Sequence, residues 1–291
     1  MIYLDYFDFP SIHSENRALA WEKRTCFDTF YPFGVIARED KTELEFDNIT
    51  ILYGSNGSGK STMLNVMAHK LNMKRNTLIN RTNFMDDYVN LCSCECKSNP
   101  FASYKIITSD DVFNYLFDVR SINEGIHYER ENLFGEYSET MEMLYKEGYQ
   151  LKSLDEFEKL KRINEIRSKT QSKFVRNHLV KNIRENSNGE SALIYFFNEI
   201  KENGLYLLDE PENSLSAEKQ LVLIKYIEES ARFFKCQFVI ATHSPLILGI
   251  KGAKIYNLDS DEVKVDKLGN LKNIRIMYDF FKKNQHLFEE M

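Results

Sequence analysis

The sequence predicts an α/β fold in which a mostly parallel sheet is flanked by helices, with a helical lobe inserted at about residues 110–185. Three observations lead to this prediction. Short, continuously apolar runs alternate with helix-length segments in the last hundred residues, which is typical of parallel sheets covered on both faces. Strand-like runs also precede residue 60. No linker rich in glycine, serine or proline divides the chain, so we expect one domain spanning 1–291.

The composition supports a folded chain with a sizeable core. Of its 291 residues, 43% are hydrophobic and 28% are charged, and the formal net charge is −6. The negative charge argues against a surface coated with positive charge for nucleic acid, although a local basic patch stays open. No stretch reaches the roughly 20 apolar residues of a membrane helix, and residues 1–5 show no secretory signal. The odd number of cysteines predicts no disulfide framework, so we expect a cytoplasmic protein. Because no apolar stretch of membrane length is present, we also expect no membrane partner.

The N-terminal elements lead to a glycine-rich turn. Residues 42–46 alternate polar and apolar side chains, which predicts a strand, and residues 49–53 form an apolar run rich in β-forming residues, which predicts another. Beyond the turn, apolar side chains at helical spacing predict a helix over 62–71. These side chains are Met63, Leu64, Met67, Ala68 and Leu71.

The C-terminal elements alternate in type. Helices are predicted over 192–200 and 217–233, and strands over 205–208, 237–241 and 255–258. The strand segments are almost continuously apolar, so both of their faces are expected to be buried. This pattern predicts the parallel part of the sheet.

The turn after the strand at 49–53 fits the pattern G-x-x-x-x-G-K-[ST]. This phosphate loop consists of Gly54, Ser55, Asn56, Gly57, Ser58, Gly59, Lys60, Ser61 and Thr62. Glycines let successive backbone N–H groups face a phosphate chain, and the following helix N-terminus adds partial positive charge. Lys60 is expected to reach the β- and γ-phosphates, and the Ser61 hydroxyl to ligate Mg²⁺. The motif and its context predict a P-loop NTPase.

Two adjacent carboxylates follow the apolar run at 205–208. A strand rising from the core would deliver Asp209 to the edge of the sheet, where its carboxylate can hold Mg²⁺ through water. Glu210 can orient the attacking water and accept its proton. Many strands end in charged turns, so this assignment depends on the motifs around it.

Four motifs in this order resemble the ATP-binding-cassette (ABC) ATPase superfamily, specifically its soluble branch near the recombination and chromosome-maintenance ATPases. They are the phosphate loop, a signature-like segment Ser187-Asn188-Gly189-Glu190-Ser191, the run Asp209-Glu210-Pro211, and Ala241-Thr242-His243-Ser244-Pro245. The last hundred residues are similar to a group of small bacterial ATPases. No heptad pattern is sustained between the phosphate loop and the signature-like segment, so the long coiled coil of the chromosome ATPases is not expected.

The resemblance implies ATP and Mg²⁺ as cofactors and a head-to-tail homodimer. In this superfamily ATP lies between the phosphate loop of one copy and the signature of the other. Ser187, Gly189 and Glu190 would then belong to the binding site for the nucleotide of the partner chain. His243 would contact the γ-phosphate and the attacking water as a catalytic residue, together with Glu210 and Lys60.

The sequence departs from the superfamily pattern at several positions. Asn186 and Asn188 stand where the signature has leucine and its first glycine, and Ser216 stands where the loop after Pro211 has an aspartate. Slow turnover is therefore expected. The glutamine that the superfamily places between phosphate loop and signature has no clear counterpart, and Asp110 is a candidate for its position.

Two further groups of side chains are assigned to packing rather than to chemistry. Tyr31 and Phe33 lie upstream of the phosphate loop, where an adenine-stacking residue could be sought, but core packing is favoured for both. Cys92, Cys94 and Cys96 could offer thiolates to a metal, yet their spacing is not that of a zinc knuckle. On a strand they would share one face, and burial as small apolar side chains is favoured.

The predicted lobe is polarised in charge. Residues 159–184 contain nine basic side chains and one acid, whereas residues 118–158 contain eleven acids and four basic side chains. Either the two halves pair within a solvated lobe, or the basic half docks nucleic acid or an acidic partner. The nine basic residues are Lys159, Lys161, Arg162, Arg167, Lys169, Lys173, Arg176, Lys181 and Arg184.

Three functions remain in view. The first is a Mg²⁺-dependent ATP hydrolase whose ATP-driven dimerisation switches a partner protein or nucleic acid, with DNA repair or anti-phage defence suggested by the resemblance. The second is a nucleotide-gated binding module with little turnover that regulates a nuclease or toxin. The third is the ATP-binding subunit of a membrane transporter, which the detailed match to soluble ATPases disfavours.

Overall fold

The computed structural model describes residues 1–24, 26–40, 42–78, 82–97, 103–146, 157–179, 187–260 and 262–289. Its strands are β1 (Leu4–Phe9), β2 (Thr42–Glu45), β3 (Ile49–Tyr53), β4 (Ser93–Cys96), β5 (Ser103–Thr108), β6 (Gly204–Asp209), β7 (Cys236–Thr242), β8 (Lys254–Asn257) and β9 (Lys264–Val265). Its α-helices are α1 (Ile12–Ala20), α2 (Lys60–Lys70), α3 (Met85–Leu91), α4 (Ser109–Lys146), α5 (Phe157–Ser168), α6 (Gln171–His178), α7 (Asn188–Glu199), α8 (Ala217–Phe233), α9 (Lys272–Lys283) and α10 (His286–Glu289).

The chain divides into two compact units, of which the first combines Met1–Phe113 with Asn188–Met291. Its main sheet has the strand order β5-β6-β7-β3-β8-β9, parallel throughout except for the antiparallel β9 at one edge. Strands β3 and β7 are buried along their whole length, and helices α2 and α8 pack against the sheet. The predicted mostly parallel α/β sheet flanked by helices is therefore confirmed.

The parallel register brings the carboxyl ends of the central strands to one edge. Thr108 lies opposite Asp209, and Asp209 lies opposite Ala241. On the other side of β7, Tyr53 lies opposite Thr242. Loops that follow parallel strands therefore emerge side by side at this edge, which is where ligands bind in open α/β sheets.

A second, antiparallel sheet of the order β2-β1-β4 belongs to the same unit. The buried Gln237 at the start of β7 connects it to the main sheet: its Oε1 accepts hydrogen bonds from the N–H groups of Tyr3 (2.7 Å) and Leu4 (2.9 Å), and its Nε2 donates to the carbonyls of Leu4 (2.9 Å) and Asp47 (3.1 Å). Strand β1 was not predicted from the sequence. A register shift between Leu4 and Tyr6 disturbs its alternation of buried and half-buried residues.

The second unit, Asn114–Ser187, lies where the sequence predicts the inserted helical lobe. Its described core consists of Leu133, Ile166, Phe174 and Val175. Arg162 of the basic stretch forms a bidentate ion pair with Glu136 of the acidic stretch, with both nitrogen–oxygen distances at 2.7 Å. The two charged halves therefore pair here, although residues 180–186, with Lys181 and Arg184, lie outside the described residues.

Candidate functional site

The phosphate loop leaves β3 at Tyr53, as the sequence predicts, and enters α2 at Lys60, two residues before the predicted start of the helix. Gly59 caps the helix with φ of +93°, a left-handed conformation that glycine adopts without steric cost. At Gly54 a Cβ atom would collide with the Ser58 hydroxyl and lie only 2.8 Å from the Ser58 Cβ. Only glycine therefore lets the loop curl this tightly between strand and helix.

Lys60 folds back over the loop. Its side chain is almost fully buried, and its ammonium donates hydrogen bonds to the carbonyl oxygens of Gly54 (2.8 Å) and Ser55 (3.0 Å). The Ser58 hydroxyl oxygen is also buried, without a hydrogen-bond partner among the described residues. A cation, an unsatisfied hydroxyl and a helix N-terminus in one loop suit the charged oxygens of a triphosphate.

Ser61 and Asp209 come together at the same edge of the sheet. The Ser61 hydroxyl donates to Asp209 Oδ1 at 3.0 Å, although the two residues are 148 positions apart. Burial raises the pKa of Asp209 to about 6, with neighbouring Glu210 adding to the effect and the Ser61 hydrogen bond opposing it. A hydroxyl and a carboxylate in contact form an oxygen donor set that fits Mg²⁺.

Glu210 and His243 lie next to each other at the ends of β6 and β7. Glu210 adopts a left-handed conformation with φ of +47°, and its N–H donates to the carbonyl of Ala241 (2.9 Å). Its Oε2 accepts a hydrogen bond from Asn213 Nδ2 (3.1 Å), and its Oε1 lies 3.6 Å from Nδ1 of His243. The imidazole is 46% exposed, so both side chains can reach a water molecule or phosphate at this edge.

Glu212 is a buried carboxylate whose role the sequence reasoning missed. Its Oε1 accepts hydrogen bonds from the Thr242 hydroxyl (2.6 Å) and from the N–H groups of His243 and Ser244 (both 3.1 Å). Its side chain is only 6% exposed. The sequence shows only that a third acid follows the proline in the run Asp209-Glu210-Pro211-Glu212, and it does not indicate the partners of that acid. Glu212 therefore holds the turn that presents His243.

The end of β5 contributes Thr108 to the same edge, in register with Asp209. The buried carboxylate of Asp111 accepts hydrogen bonds from the Thr108 N–H (2.7 Å) and hydroxyl (2.9 Å). Asp110, the candidate from the sequence, is exposed in the first turn of α4. The structure thus brings Thr108, fixed by Asp111, next to Asp209.

The signature-like segment is divided between the two units, with Ser187 in the second and Asn188 onward in the first. Helix α7 begins at Asn188, which places Gly189 and Glu190 in its first turn. A Cβ atom at Gly189 would lie 3.5 Å from the Ser214 carbonyl oxygen, and Glu190 Oε1 lies 3.9 Å from Lys219 Nζ. The start of α7 therefore packs against the segment that follows Glu210.

The segment before β2 runs along the phosphate loop. The Tyr31 hydroxyl donates to Thr62 Oγ1 at 3.2 Å, and the Phe33 ring packs against the main core, as favoured from the sequence. The Val35 carbonyl oxygen would lie 3.5 Å from a Cβ at Gly59. Val35 is also 39% exposed, so it is an apolar side chain beside the loop that the sequence reasoning missed.

The cysteines at 92–96 pack as expected. Cys92 is buried in the main core, and Cys94 and Cys96 pack partly against it. Burial raises the pKa of Cys92 to about 12 and also raises the pKa values of Cys94 and Cys96, so none of these thiols is activated. Within the described ranges, no group of three or more histidine, cysteine or acidic side chains could hold a metal ion.

Several solved structures are similar to this chain at low sequence identity. One is the Smc head domain from Pyrococcus furiosus, with an extended coiled coil and bound to the C-terminal domain of ScpA. The two chains are 13% identical, the match covers 96% of this chain and 100% of that chain, and the TM-score is 0.45. The SMC head domain from Thermotoga maritima shares 12% identity over 91% of this chain and 99% of the other (TM-score 0.42). MJ0796, a bacterial ABC transporter cassette, shares 16% identity over 79% of this chain and 90% of that chain, with a TM-score of 0.37.

The family assignment comes from the sequence profile described as "ABC transporter", which matches residues 38–213, more than half of the chain. No curated protein shows a significant match. None of the helices in the described part of the chain combines the length and apolarity needed to cross a membrane. The chain therefore belongs to the ABC transporter family, and it is an ATP hydrolase with the P-loop fold of the ABC ATPases.

Proposed function

We propose that this chain is a Mg²⁺-dependent cytoplasmic ATPase whose two copies close head to tail around ATP, and that this closure switches a partner protein or nucleic acid. One observation carries the proposal. At one edge of the sheet the Ser61 side chain, in the first turn of α2, contacts Asp209 at the end of β6. The Glu210 side chain, which follows β6, lies beside that of His243, which follows β7.

Each residue has a chemical role that its contacts support. Lys60 offers its ammonium to the β- and γ-phosphates, and Ser61 and Asp209 provide oxygen ligands for Mg²⁺. A bound Mg²⁺ supplies positive charge that offsets the charge of the phosphates. Glu210 orients the attacking water and accepts its proton, while His243 contacts that water and the γ-phosphate.

The exposure of the phosphate loop supports closure by a second copy. Ser55, Asn56, Gly57 and Ser61 are all exposed on the described surface, and the His243 ring is nearly half exposed. In the arrangement implied by the ABC resemblance, the signature-like segment of the partner copy, with Ser187, Gly189 and Glu190, caps the nucleotide. ATP then favours the closed dimer because it binds that state more tightly than the open one.

The object of the switch is a protein effector or a nucleic acid, in DNA repair or anti-phage defence. The basic stretch at 159–184 supports a nucleic-acid contact in part. Arg162 is paired with Glu136, but Arg167, Lys173 and Arg176 are exposed. Charge reversal of exposed residues of this stretch should weaken DNA or RNA binding and reduce its salt dependence.

The test is the Glu210→Gln variant beside the wild type in a steady-state ATPase assay. We expect measurable turnover in the wild type and a loss of at least about 100-fold in the variant, since proton acceptance typically contributes 10²–10⁴-fold. The variant should also accumulate as an ATP-bound dimer in sedimentation experiments. Equal and negligible rates would instead support a nucleotide-gated binding module, which the asparagine at 188 in place of a signature glycine favours.

A further inference from the structure

Asp259 forms a contact with the phosphate loop that the proposed mechanism does not use. Its Oδ1 accepts two hydrogen bonds from Ser55, one from the backbone N–H and one from the side-chain hydroxyl, both at 2.8 Å. The two residues are 204 positions apart. A carboxylate that accepts two hydrogen bonds from one loop residue fixes that residue more firmly than a single neutral hydrogen bond would.

Asp259 is itself held in place by the turn after β8. Its N–H donates to Asn257 Oδ1 at 3.0 Å, and Asn257 Nδ2 donates to Asp266 Oδ2 at 3.3 Å. The intervening Leu258 donates its N–H to the carbonyl of Tyr53 at 2.8 Å, directly before the phosphate loop. The carboxylate therefore approaches the loop from a turn that is anchored on both sides.

The peptide unit between Gly54 and Ser55 connects Asp259 to Lys60. Its carbonyl oxygen, on Gly54, accepts the 2.8 Å hydrogen bond from the Lys60 ammonium, and its N–H, on Ser55, donates to Asp259. A rotation of this peptide would break both contacts. By holding the Ser55 N–H, Asp259 therefore also orients the Gly54 carbonyl oxygen toward the Lys60 ammonium.

A carboxylate near this loop also has an electrostatic cost. Asp259 carries the same sign of charge as a triphosphate, so by Coulomb repulsion alone it would weaken nucleotide binding. The contact favours binding only if the geometry that it imposes outweighs this repulsion. Charge and hydrogen-bonding capacity can be separated experimentally, because asparagine retains an acceptor oxygen and removes the charge.

We propose that Asp259 is a positioning residue for ATP: it fixes the Gly54–Ser55 peptide and thereby the Lys60 ammonium that the triphosphate meets. This inference rests on the proposed role of the phosphate loop. It extends the site to the turn at 257–260, which the sequence motifs did not include.

The experiment compares ATP affinity and turnover in Asp259→Ala, Asp259→Asn and the wild type. We expect Asp259→Ala to raise the Kd for ATP by about 10-fold or more, the loss typical of a charge-assisted hydrogen bond. The kcat at saturating ATP should change by a smaller factor than the Kd, because Asp209, Glu210 and His243 are untouched and only the position of Lys60 is altered. Asp259→Asn should restore the Kd to within about 3-fold of the wild type. An unchanged Kd in Asp259→Ala would overturn the proposal, and so would a failure of asparagine to rescue.

Ser55→Ala tests the same contact from the other side, and it remains informative if Asp259→Ala does not fold. It removes the hydroxyl donor and leaves the N–H, so a smaller rise in Kd is expected. In the double variant the two effects should not add, since the hydroxyl bond is already lost when Asp259 is removed. Full additivity would contradict the proposal. Glu262→Ala is the charge-matched control, an exposed acid of the same turn region for which no change in Kd is expected.

Lys60→Ala separates this inference from the proposed function. If Lys60→Ala binds ATP as well as the wild type, the phosphate-loop assignment itself fails. If Lys60→Ala loses binding while Asp259→Ala keeps it, only the role of Asp259 fails.

Discussion

Asp209 is a carboxyl group whose ionisation depends on its burial at the strand end. Its pKa of about 6 in the folded state lies above the ordinary value of 3.8. The folded state therefore binds the proton more tightly than the unfolded state. This contribution to stability is fully present below the unfolded pKa and is lost as the pH rises through the folded pKa. In metal-free protein above pH 6, the ionised carboxylate lowers the free energy of unfolding.

Asp209→Asn should therefore stabilise the metal-free protein at alkaline pH while removing a proposed Mg²⁺ ligand. We expect the free energy of unfolding at pH 8 to rise by up to about 2–3 kcal/mol, the equivalent of roughly two pKa units. At pH 4 the gain should be largely absent, because the wild-type carboxyl is then mostly protonated in the folded state. Urea denaturation of the wild type and the variant at pH 8 and at pH 4 measures the change in the free energy of unfolding at each pH. A gain of equal size at pH 4 would show that desolvation of the charge is not its cause.

Glu212 is predicted to act on turnover rather than on nucleotide affinity. Glu212→Ala removes the acceptor for the Thr242 hydroxyl and for two backbone N–H groups, so the turn that carries His243 loses its anchor. We expect kcat to fall by at least about 10-fold with a nearly unchanged Kd for ATP. Glu212→Gln keeps one acceptor oxygen and should retain most of the activity. Steady-state kinetics measure kcat, and a binding titration measures the Kd for ATP. A change in Kd with an unchanged kcat would contradict this prediction.

At the scale of elements, Gln237 is the residue that fastens the antiparallel sheet to the parallel one. All four hydrogen bonds of its amide go to backbone groups of residues 3, 4 and 47. Gln237→Leu would leave two buried N–H donors without an acceptor, each at a cost of about 1–3 kcal/mol. We expect the free energy of unfolding to fall by at least about 2 kcal/mol in denaturant titration. A loss below 1 kcal/mol would mean that water or a rearranged strand replaces the amide.

The elements that sequence reasoning predicted are those whose pattern is local. The apolar runs of β3, β6 and β7 were recognised because both faces of these strands are buried, and the predicted helix at 217–233 coincides with α8. Strand β1 was missed because its partners are distant in sequence and its alternation is irregular.

The same distinction applies to the candidate site. The phosphate loop and the run at 209–210 have recognisable sequence patterns, and parallel topology brings their ends together. Glu212, Thr108 and Asp259 act through contacts with residues 30 to 204 positions away or across a strand register, and no sequence pattern marks such contacts in advance. Contacts between residues this far apart in sequence can be identified only from the folded structure.

At the scale of the whole molecule, the proposed site residues lie at one edge of the parallel sheet, where the carboxyl ends of its strands meet. The ends of β3, β6, β7 and β8 and the loops that follow them supply, in that order, the phosphate-binding residues, the two adjacent carboxylates, the histidine and Asp259. In the proposed arrangement, nucleotide binding by a single copy and closure of two copies are separable properties, because the signature-like segment is proposed to act on the nucleotide of the partner. A variant of that segment should therefore affect dimerisation and leave the first binding step intact.

Ser187→Arg in the Glu210→Gln background tests this separation. The wild-type signature serine is proposed to meet the γ-phosphate held by the partner, and a long side chain in its place should obstruct closure. We expect each chain to bind ATP with a Kd within about 3-fold of the parent, while the ATP-dependent dimer disappears in sedimentation velocity experiments. Ser172→Arg, which adds the same charge at an exposed position of α6, is the control and should still dimerise. If the Ser187→Arg protein also dimerises with ATP, the signature-like segment does not cap the nucleotide, and the two copies must meet through another surface.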